Sequence, residues 1–313
     1  MDNSNNIYDL VIIGAGPASL SAAIYTSRED ISTLILEKGA IGGMAAVTDK
    51  VDNYPGFPDG VGGLELSENL QKQAERFGAK IDYDEITAIE EDGKYKKVVG
   101  QVATYLTKAV LIATGTDYKK LHVPGEAEYL ARGVHYCATC DGAFYRDKKI
   151  VVVGGGNSAI QETIFLTRYA SHIDLLVRST IKASDVLVKE LNKFVKDGKV
   201  TIHLGASVKE IVGGDNNLVK EVTVLKEGRE SNLKTDGVFI FIGLLPNTKF
   251  LKNIDLDSVG FIKTDAKLQT NIKGVFAAGD VRSGATMQIA SAAGEGATAA
   301  LMIREYIEHY KRS

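Results

Sequence analysis

Apolar positions near the start of the chain cluster into a run instead of alternating with polar ones. Residues 8–13 are apolar except for Asp9 and are rich in β-branched side chains, which is typical of a strand buried in a parallel sheet. Helical spacing follows over residues 20–27, and a second short strand-like run covers residues 32–36. The order of strand, helix and strand predicts a βαβ unit with its two strands parallel in one sheet.

A glycine-rich turn joins the first predicted strand to its helix, with the sequence Gly14-Ala15-Gly16-Pro17-Ala18-Ser19. Gly14 allows a tight turn, and Gly16 lets the backbone approach a pyrophosphate at the N-terminus of the helix. Glu37 ends the second strand 23 residues after Gly14, where a carboxylate accepts hydrogen bonds from a ribose. This combination predicts a bound dinucleotide; the alternative is a turn that binds no phosphate.

The same pattern returns 140 residues later in the chain. Residues 148–153 predict a strand, and residues 160–167 have helical spacing. The turn between them keeps Gly154, Gly156 and the small residue Ala159. The two units align as DLVIIGAGPAS and KIVVVGGGNSA, which indicates an internal duplication. The sequence therefore predicts an α/β fold with two domains of the dinucleotide-binding type.

The second unit lacks one feature of the first. Its second strand is predicted over residues 172–177, and Val177 stands where the first unit has Glu37. No carboxylate is therefore available at that position for a ribose hydroxyl. Arg178 and Lys182 follow closely and place two cations after the strand. We expect a second nucleotide site that is degraded on its ribose side.

Three other stretches have the composition of ligand-binding loops. Gly43 lies in a glycine-rich segment, and Asn53 lies in a loop rich in Gly and Pro, residues 52–58. Such loops let backbone lie against a ligand, although a plain surface connection has the same composition. A predicted strand ends at Gly279 and Asp280, which places a carboxylate at the mouth of the sheet for a ligand hydroxyl. Helix capping is the alternative role for Asp280.

Further apolar runs complete the α/β pattern between these motifs. Helical spacing covers residues 64–77 and 290–303. The remaining strands are predicted over residues 80–90, 96–107, 109–113, 200–204, 221–226 and 237–242.

The chain has only two cysteines, Cys137 and Cys140, which are separated by two residues and followed by Asp141. A C-x-x-C pair can close a small disulfide loop, and the motif commonly lowers the pKa of one thiol. Asp141 can take or give the proton when a thiolate leaves or attacks. A structural zinc ion needs four ligands, and no second C-x-x-C exists. A redox dithiol is therefore preferred over a metal site or an incidental pair, and we expect no bound metal.

Composition adds little to this picture. The 313 residues are enough for two domains, with 44% hydrophobic and 25% charged residues. A net charge of −3 gives no reason to expect nucleic acid or an anionic membrane as a partner. No apolar run reaches the roughly 18 residues of a membrane span, and residues 1–6 are polar without a basic stretch. A redox-type C-x-x-C in such a chain predicts a location in the cytoplasm.

Taken together, these motifs resemble the low-molecular-weight thioredoxin reductases over nearly the whole chain. The most specific match is Cys137-Ala138-Thr139-Cys140-Asp141-Gly142, just before the second glycine turn. The resemblance implies two Rossmann-like (FAD/NAD-binding type) three-layer domains, the second inserted in the first. The FAD-binding domain would comprise residues 1–116 and 246–313, and the inserted domain of the pyridine-nucleotide type would carry the dithiol in residues 117–245.

The resemblance also implies an activity and an assembly. The chain would be a flavoprotein that reduces the disulfide of thioredoxin. Its inserted domain would rotate, so that the dithiol alternates between the flavin and the substrate. A homodimer is implied by the family alone.

By the same resemblance, FAD is held by residues from several segments, namely Gly14, Gly16, Pro17, Ala18, Glu37, Gly43, Asn53, Gly279, Asp280 and Gln288. The pyrophosphate would lie on the first glycine turn, the adenosine ribose on Glu37 and the ribityl chain on Asp280. Cys140 would be the partner of the flavin and Cys137 the partner of the substrate. Asp141 would be the acid and base of the exchange.

The electron donor stays open at this point. Members of the family that use NADPH clamp its 2′-phosphate with a run of His and Arg residues, and here only Arg178 and Lys182 are available. This departure favours reduced ferredoxin, as in the ferredoxin-dependent flavin thioredoxin reductases. Weakly bound NADPH is the first alternative, and NADH is another. A flavin-bound redox sensor, which uses the cysteine pair as a switch without turnover, is the alternative from a different class.

Overall fold

The computed structural model describes residues 7–48 and 50–312, so the polar start at residues 1–6 lies outside the described residues. The helices are, in chain order, α1 (Pro17–Arg28), α2 (Gly43–Ala46), α3 (Gly63–Arg76), α4 (Ala138–Asp141), α5 (Asn157–Leu166), α6 (Asp185–Lys196) and α7 (Ile289–Arg312). The strands are β1 (Ile7–Ile13), β2 (Thr33–Glu37), β3 (Lys80–Tyr83), β4 (Ile86–Asp92), β5 (Tyr95–Gly100), β6 (Thr104–Ile112), β7 (Thr116–Tyr118), β8 (Val134–His135), β9 (Lys149–Val153), β10 (His172–Val177), β11 (Val200–Leu204), β12 (Ala206–Gly213), β13 (Val219–Lys226), β14 (Arg229–Lys234), β15 (Gly237–Ile240), β16 (Leu244–Pro246) and β17 (Val275–Ala277).

One compact unit is made of the described residues of Met1–Asp117 and Leu245–Ser313. Its main sheet has the order β3-β2-β1-β6-β5-β4, and β17 pairs with β6. The central strands β2, β1, β6 and β17 are parallel, and Leu10, Val11, Ile12 and Ile13 of β1 are buried because both faces of the strand are covered there. Helices α1, α3 and α7 contribute to the core on one face of this sheet. The carboxyl ends of the parallel strands therefore lie at one edge, where ligands bind in open α/β sheets.

The other compact unit is Tyr118–Leu244. Its parallel sheet has the order β11-β10-β9-β15-β8, and β12, β13 and β14 form a separate antiparallel sheet. Apolar side chains of α5 and α6 pack on one face of the parallel sheet. The antiparallel sheet packs on the other face. These are the three layers of a Rossmann-like domain, which confirms the predicted α/β fold class.

The single strand predicted over residues 80–90 is wrong. The chain turns at Asp84, whose buried carboxylate accepts hydrogen bonds from the backbone N–H groups of Val102 and Ala103, each at 3.0 Å. As a result β3 pairs parallel with β2, whereas β4 pairs antiparallel with β5. The turn at Asp84 therefore divides the predicted continuous strand into β3 and β4.

Other boundaries also differ from the prediction. The runs over residues 96–107 and 109–113 become β5 and one longer strand, β6. The polar edge strand β14 was not predicted because its residues are exposed and show no apolar alternation. Helix α6 and strand β12 were not predicted either. Among the described residues, no helix combines the length and apolar character needed to cross a membrane.

Candidate active site

The first glycine turn is possible only with glycine at its first position. Gly14 has a φ of +94°, and a Cβ atom there would lie 2.6 Å from the carbonyl oxygen of Ala113, which directly follows the neighbouring strand β6. Its N–H donates to the carbonyl oxygen of Leu36 at 2.8 Å. The turn is therefore held against the ends of both flanking strands, as predicted from the glycine spacing.

The second glycine of the turn faces open space. A Cβ on Gly16 would have no neighbour within 4 Å, and no side chain caps the N-terminus of α1 there. Pro17 takes the first helical position, where its missing N–H costs no hydrogen bond. The free N–H groups that follow, together with the helix dipole, make an anion-binding end next to an unfilled space.

Two of the predicted residues, Gly43 and Glu37, border this turn. The Cα of Gly16 lies 3.7 Å from a Cβ built on Gly43. Glu37 accepts the N–H of Ala15 through Oε2 at 2.7 Å, and the N–H of Gly39 through Oε1 at 2.8 Å. Its carboxylate is thus held at the side of the turn, where a ribose next to the pyrophosphate would meet it.

Gly279 and Asp280 follow β17 and complete this edge of the sheet. A Cβ on Gly279 would lie 3.0 Å from the Cβ of Ala18, so the two segments are adjacent. The N–H of Gly279 donates to Glu295 at 2.8 Å, and Arg282 binds the same carboxylate through two nitrogens at 2.6 and 3.1 Å. Glu295 is therefore satisfied by groups of the protein.

Asp280 has no such partner. Within the described residues its side chain makes no hydrogen bond or ion pair, although it is largely buried. Burial raises the pKa of Asp280 to about 6, with a smaller contribution from the charge of Glu295. A largely buried carboxylate without a donor fits a ligand that brings hydroxyl groups, which is what a ribityl chain has. A capping role would have required a nearby backbone N–H, and none is bonded.

This carboxylate gives a testable pH dependence. In the unfolded chain it ionises near pH 3.8, but in the fold only near pH 6, so the folded protein binds the proton more tightly. The stability of the FAD-free protein should therefore fall as the pH rises from about 4 to about 6. We expect Asp280→Asn to lack this fall and to be more stable at pH 7 by roughly 2–3 kcal/mol, while binding FAD more weakly.

Urea unfolding of the FAD-free proteins at pH 4.5 and pH 7 measures this difference. Arg282→Lys is a matched control, because it keeps the charge beside Glu295 and leaves Asp280 unchanged. Equal pH dependence in wild type and Asp280→Asn would contradict the assignment.

Asn53 and Gln288 meet although 235 residues separate them. The side-chain amide of Asn53 donates to Oε1 of Gln288 at 3.0 Å, and Gln288 in turn donates to the carbonyl of Met287 at 2.9 Å. The loop that carries Asn53 is anchored by Tyr54 and Phe57, which pack on the core. The pair therefore ties that loop to the start of α7. These residues and the glycine turn fit FAD as the bound dinucleotide.

The cysteine pair lies in the other unit. Cys137 and Cys140 form a disulfide with a Cα–Cα distance of 5.3 Å. Cys137 precedes α4, and its sulfur accepts the N–H of Cys140 at 3.1 Å. Of the two residues between the cysteines, Ala138 is buried and Thr139 is exposed. A sulfur that accepts a backbone N–H is stabilised as a thiolate, which favours Cys137 as the attacking or leaving group.

Asp141 directly follows the disulfide and has a partner that the sequence did not predict. His135 lies two residues before Cys137, and its Nδ1 is 3.1 Å from Oδ2 of Asp141. A Cβ on Gly142 would lie 2.8 Å from Leu166 on α5, so the segment after Asp141 is packed tightly. A histidine close to the motif was the available signal for this contact.

The second glycine turn keeps the geometry of the first. Gly154 has a φ of +147°, and a Cβ there would lie 2.3 Å from the carbonyl of Phe241 and 2.7 Å from the Cβ of Ala159. A Cβ on Gly156 would have no neighbour within 4 Å, and no side chain caps α5. The second turn therefore has the same open, uncapped geometry as the first.

The loop after β10 is tied to this turn. The N–H of Lys182 donates to the carbonyl of Gly155 at 2.7 Å, and the N–H of Ser184 donates to Oδ1 of Asn157 at 2.8 Å. Arg178 and Lys182 are exposed, and their side chains have no hydrogen bond or ion pair within the described residues. Both cations are thus free to meet an anion next to the turn.

Comparison with known proteins places the chain among flavin-linked disulfide reductases. A family model described as pyridine nucleotide-disulphide oxidoreductase matches residues 8–296. The chain is 42% identical to the thioredoxin reductase of Listeria monocytogenes, over 100% of this chain and 98% of that protein. It is 42% identical to that of Bacillus subtilis, over 99% of this chain and 98% of that protein.

Solved structures agree with this placement. The crystal structure of thioredoxin reductase from Streptococcus pyogenes superposes with a TM-score of 0.91 at 40% identity, covering 98% of this chain and 100% of that one. Thioredoxin reductase from Giardia duodenalis gives a TM-score of 0.90 at 32% identity, covering 97% and 100%. The predicted resemblance is confirmed, and the chain belongs to the pyridine nucleotide-disulphide oxidoreductase family, among the low-molecular-weight thioredoxin reductases.

Proposed function

We propose that this FAD-dependent enzyme reduces the disulfide of thioredoxin through Cys137 and Cys140. The observation that carries the proposal is the Cys137–Cys140 disulfide, with a backbone N–H on the sulfur of Cys137 and the carboxylate of Asp141 directly behind it. The relatives named above support thioredoxin as the substrate. When bound and reduced by the electron donor, FAD would supply the two electrons that open this disulfide.

The reduced cysteine pair then performs thiol–disulfide exchange. The thiolate of Cys137 attacks one sulfur of the thioredoxin disulfide, that S–S bond breaks, and a mixed disulfide forms. Cys140 attacks the sulfur of Cys137, which restores the enzyme disulfide and releases the second thiolate of thioredoxin. Two electrons and two protons pass to thioredoxin in the complete exchange. Asp141 takes a proton from an attacking thiol and returns it to a leaving thiolate.

The residues proposed to hold FAD lie in the first unit. Gly14, Gly16, Pro17 and Ala18 would receive the pyrophosphate at the N-terminus of α1. Glu37 would bind the adenosine ribose, and the unpartnered Asp280 would bind ribityl hydroxyls. Gly43, Asn53, Gly279 and Gln288 would line the remainder.

We further propose that the electron donor is a pyridine nucleotide. The second glycine turn is uncapped, and Gly156 faces unfilled space, so a pyrophosphate has a place to bind. Arg178 and Lys182 are free to meet a 2′-phosphate. The ferredoxin donor favoured by the sequence gains no support from the relatives, whose names refer to thioredoxin alone.

An anaerobic titration of the flavin absorbance tests the donor. We expect NADPH to bleach the flavin, with an affinity about 10- to 10⁴-fold weaker than a site with a full phosphate clamp, because one or two charged contacts are missing. Arg178→Gln should weaken NADPH about 10-fold further and leave NADH unchanged, since NADH has no 2′-phosphate. Bleaching by reduced ferredoxin, with none by millimolar NADPH, would contradict the proposal.

A further inference from the structure

A buried chain of three side chains ends at Asp141. The phenol oxygen of Tyr145 lies 2.7 Å from Nε2 of His135, and Nδ1 of the same ring lies 3.1 Å from Oδ2 of Asp141. His135 is only 9% exposed, and the Asp141 side chain is 21% exposed. The chain therefore runs from the interior of the unit to the carboxylate next to Cys140.

Packing fixes the imidazole in one place. His135 lies on β8, opposite Phe239 of β15, and stacks on that ring at 5.1 Å between centroids. Tyr145 meets the imidazole edge-on at 5.2 Å. A Cβ on Gly237 would lie 2.3 Å from the Tyr145 ring, so glycine at that position leaves the room that the phenol needs. The imidazole of His135 can therefore neither turn away from Asp141 nor exchange its partners unless the surrounding side chains repack.

The partners also determine where the protons lie. An ionised carboxylate only accepts hydrogen bonds, so Nδ1 of His135 carries a hydrogen that it donates to Asp141. When the imidazole is neutral, its Nε2 accepts from the phenol of Tyr145. Burial, and next the charge of Asp141, raise the pKa of Tyr145, which keeps the phenol protonated and able to donate. In that state the direction of donation is Tyr145 to His135 to Asp141.

This arrangement leaves one oxygen of Asp141 for chemistry. Oδ2 is occupied by the imidazole, whereas Oδ1 accepts no hydrogen bond from the described part of the chain. The carboxylate is thereby oriented with one oxygen satisfied and the other available. A histidine that served only to fill the core would not need to contact the group beside the reactive sulfurs.

We propose that His135 is a positioning residue that holds Asp141 in the orientation needed for proton transfer to and from the cysteines, with Tyr145 fixing the tautomer. The inference rests on the proposed exchange with thioredoxin. In each exchange step an S–S bond breaks as another forms, and Oδ1 of Asp141 takes the proton of the attacking thiol. The same proton then goes to the departing thiolate, so the carboxylate ends as it began.

The test measures exchange from the reduced enzyme to thioredoxin disulfide by stopped flow at pH 7. We expect His135→Ala to slow exchange by about 10- to 100-fold, as expected for misplaced acid–base catalysis. His135→Asn should recover most of this loss, because its amide can still donate to Asp141. Tyr145→Phe, which keeps the ring and removes the hydroxyl, should slow exchange by roughly 3- to 10-fold, in proportion to one lost hydrogen bond.

A double-mutant cycle separates positioning from packing. In an Asp141→Asn background, His135→Ala should change the exchange rate by less than about twofold, because the group that His135 positions is already gone. If His135 had a purely structural role, His135→Ala would slow exchange equally in the wild-type and Asp141→Asn proteins. An equal loss of exchange rate in these two proteins would overturn the inference. A folded His135→Asn or Tyr145→Phe variant that exchanges as slowly as His135→Ala would also overturn it.

The same series run with a small aromatic disulfide as acceptor keeps the two proposals apart. Failure of wild type with thioredoxin, but not with the small disulfide, would count against the proposed substrate alone. In that event the effect of His135→Ala on the small disulfide still decides the inference. Wild-type rates for all His135 and Tyr145 variants would overturn it.

Discussion

Cys140→Ser is expected to reduce thioredoxin turnover by at least about 10⁴-fold, the scale of loss when a residue that forms the covalent intermediate is removed. A serine oxygen cannot form or release a disulfide, so the enzyme can neither accept the two electrons nor resolve the mixed disulfide. Reduction of the flavin by its donor should continue, because the cysteine pair and the proposed FAD residues lie in different units. Turnover with thioredoxin and flavin bleaching are measured on the same preparation.

The matched control lies between the two cysteines. Thr139 is exposed and makes no hydrogen bond within the described residues, so Thr139→Ala should keep turnover within about twofold.

The two cysteines should also differ from each other. Cys140→Ser leaves Cys137, whose sulfur is stabilised by a backbone N–H, and should accumulate a covalent adduct with thioredoxin. An adduct only in Cys137→Ser would reverse the assigned roles, and full turnover without Cys140 would favour a redox sensor or another flavin enzyme.

The second large effect concerns Gly16. Gly16→Val should weaken FAD binding by about 100-fold or more, since losing close phosphate contacts costs several hydrogen bonds to charged groups. The backbone at Gly16 is extended, with φ −79° and ψ −177°, and a Cβ there meets no protein atom within 4 Å. The fold therefore accepts a side chain at this position, and only the ligand is displaced. Fluorescence titration with FAD measures the affinity for FAD, and urea unfolding of the FAD-free protein measures the stability of the fold.

Two other glycines are the controls for this prediction. Gly14→Ala forces a Cβ to 2.6 Å from a carbonyl oxygen at a φ of +94°, so it should destabilise the FAD-free protein by roughly 1–3 kcal/mol. Gly156→Val repeats the change in the second turn, where it should spare FAD and impair only the pyridine nucleotide. If Gly16→Val protein binds FAD as tightly as wild type, the first glycine turn is not part of the FAD site.

The sequence was sufficient to predict the structural features that require glycine. Gly14 and Gly154 both adopt a positive φ beside a carbonyl oxygen, and only glycine tolerates both conditions. Such positions are visible in a sequence because a single residue type satisfies them. The buried parallel strands were equally visible, since their runs are almost entirely apolar.

Features that depend on distant partners could not be predicted. The choice between capping and ligand binding at Asp280 required the knowledge that no donor reaches it and that Glu295 lies nearby. The contact between His135 and Phe239 joins residues 104 positions apart, and Tyr145 reaches the same ring from another segment. The turn at Asp84 depends on two backbone N–H groups of a later loop, which no local pattern reveals.

The central claim is that Cys137 and Cys140 pass two electrons from the flavin to a thioredoxin disulfide. Its most direct measurement is a single turnover: the FAD-loaded enzyme is reduced with one two-electron equivalent, freed of reductant and mixed with oxidised thioredoxin without oxygen. We expect about two new thiols on thioredoxin per enzyme, with return of the enzyme disulfide. Thioredoxin that stays oxidised while the enzyme retains its two electrons would contradict it.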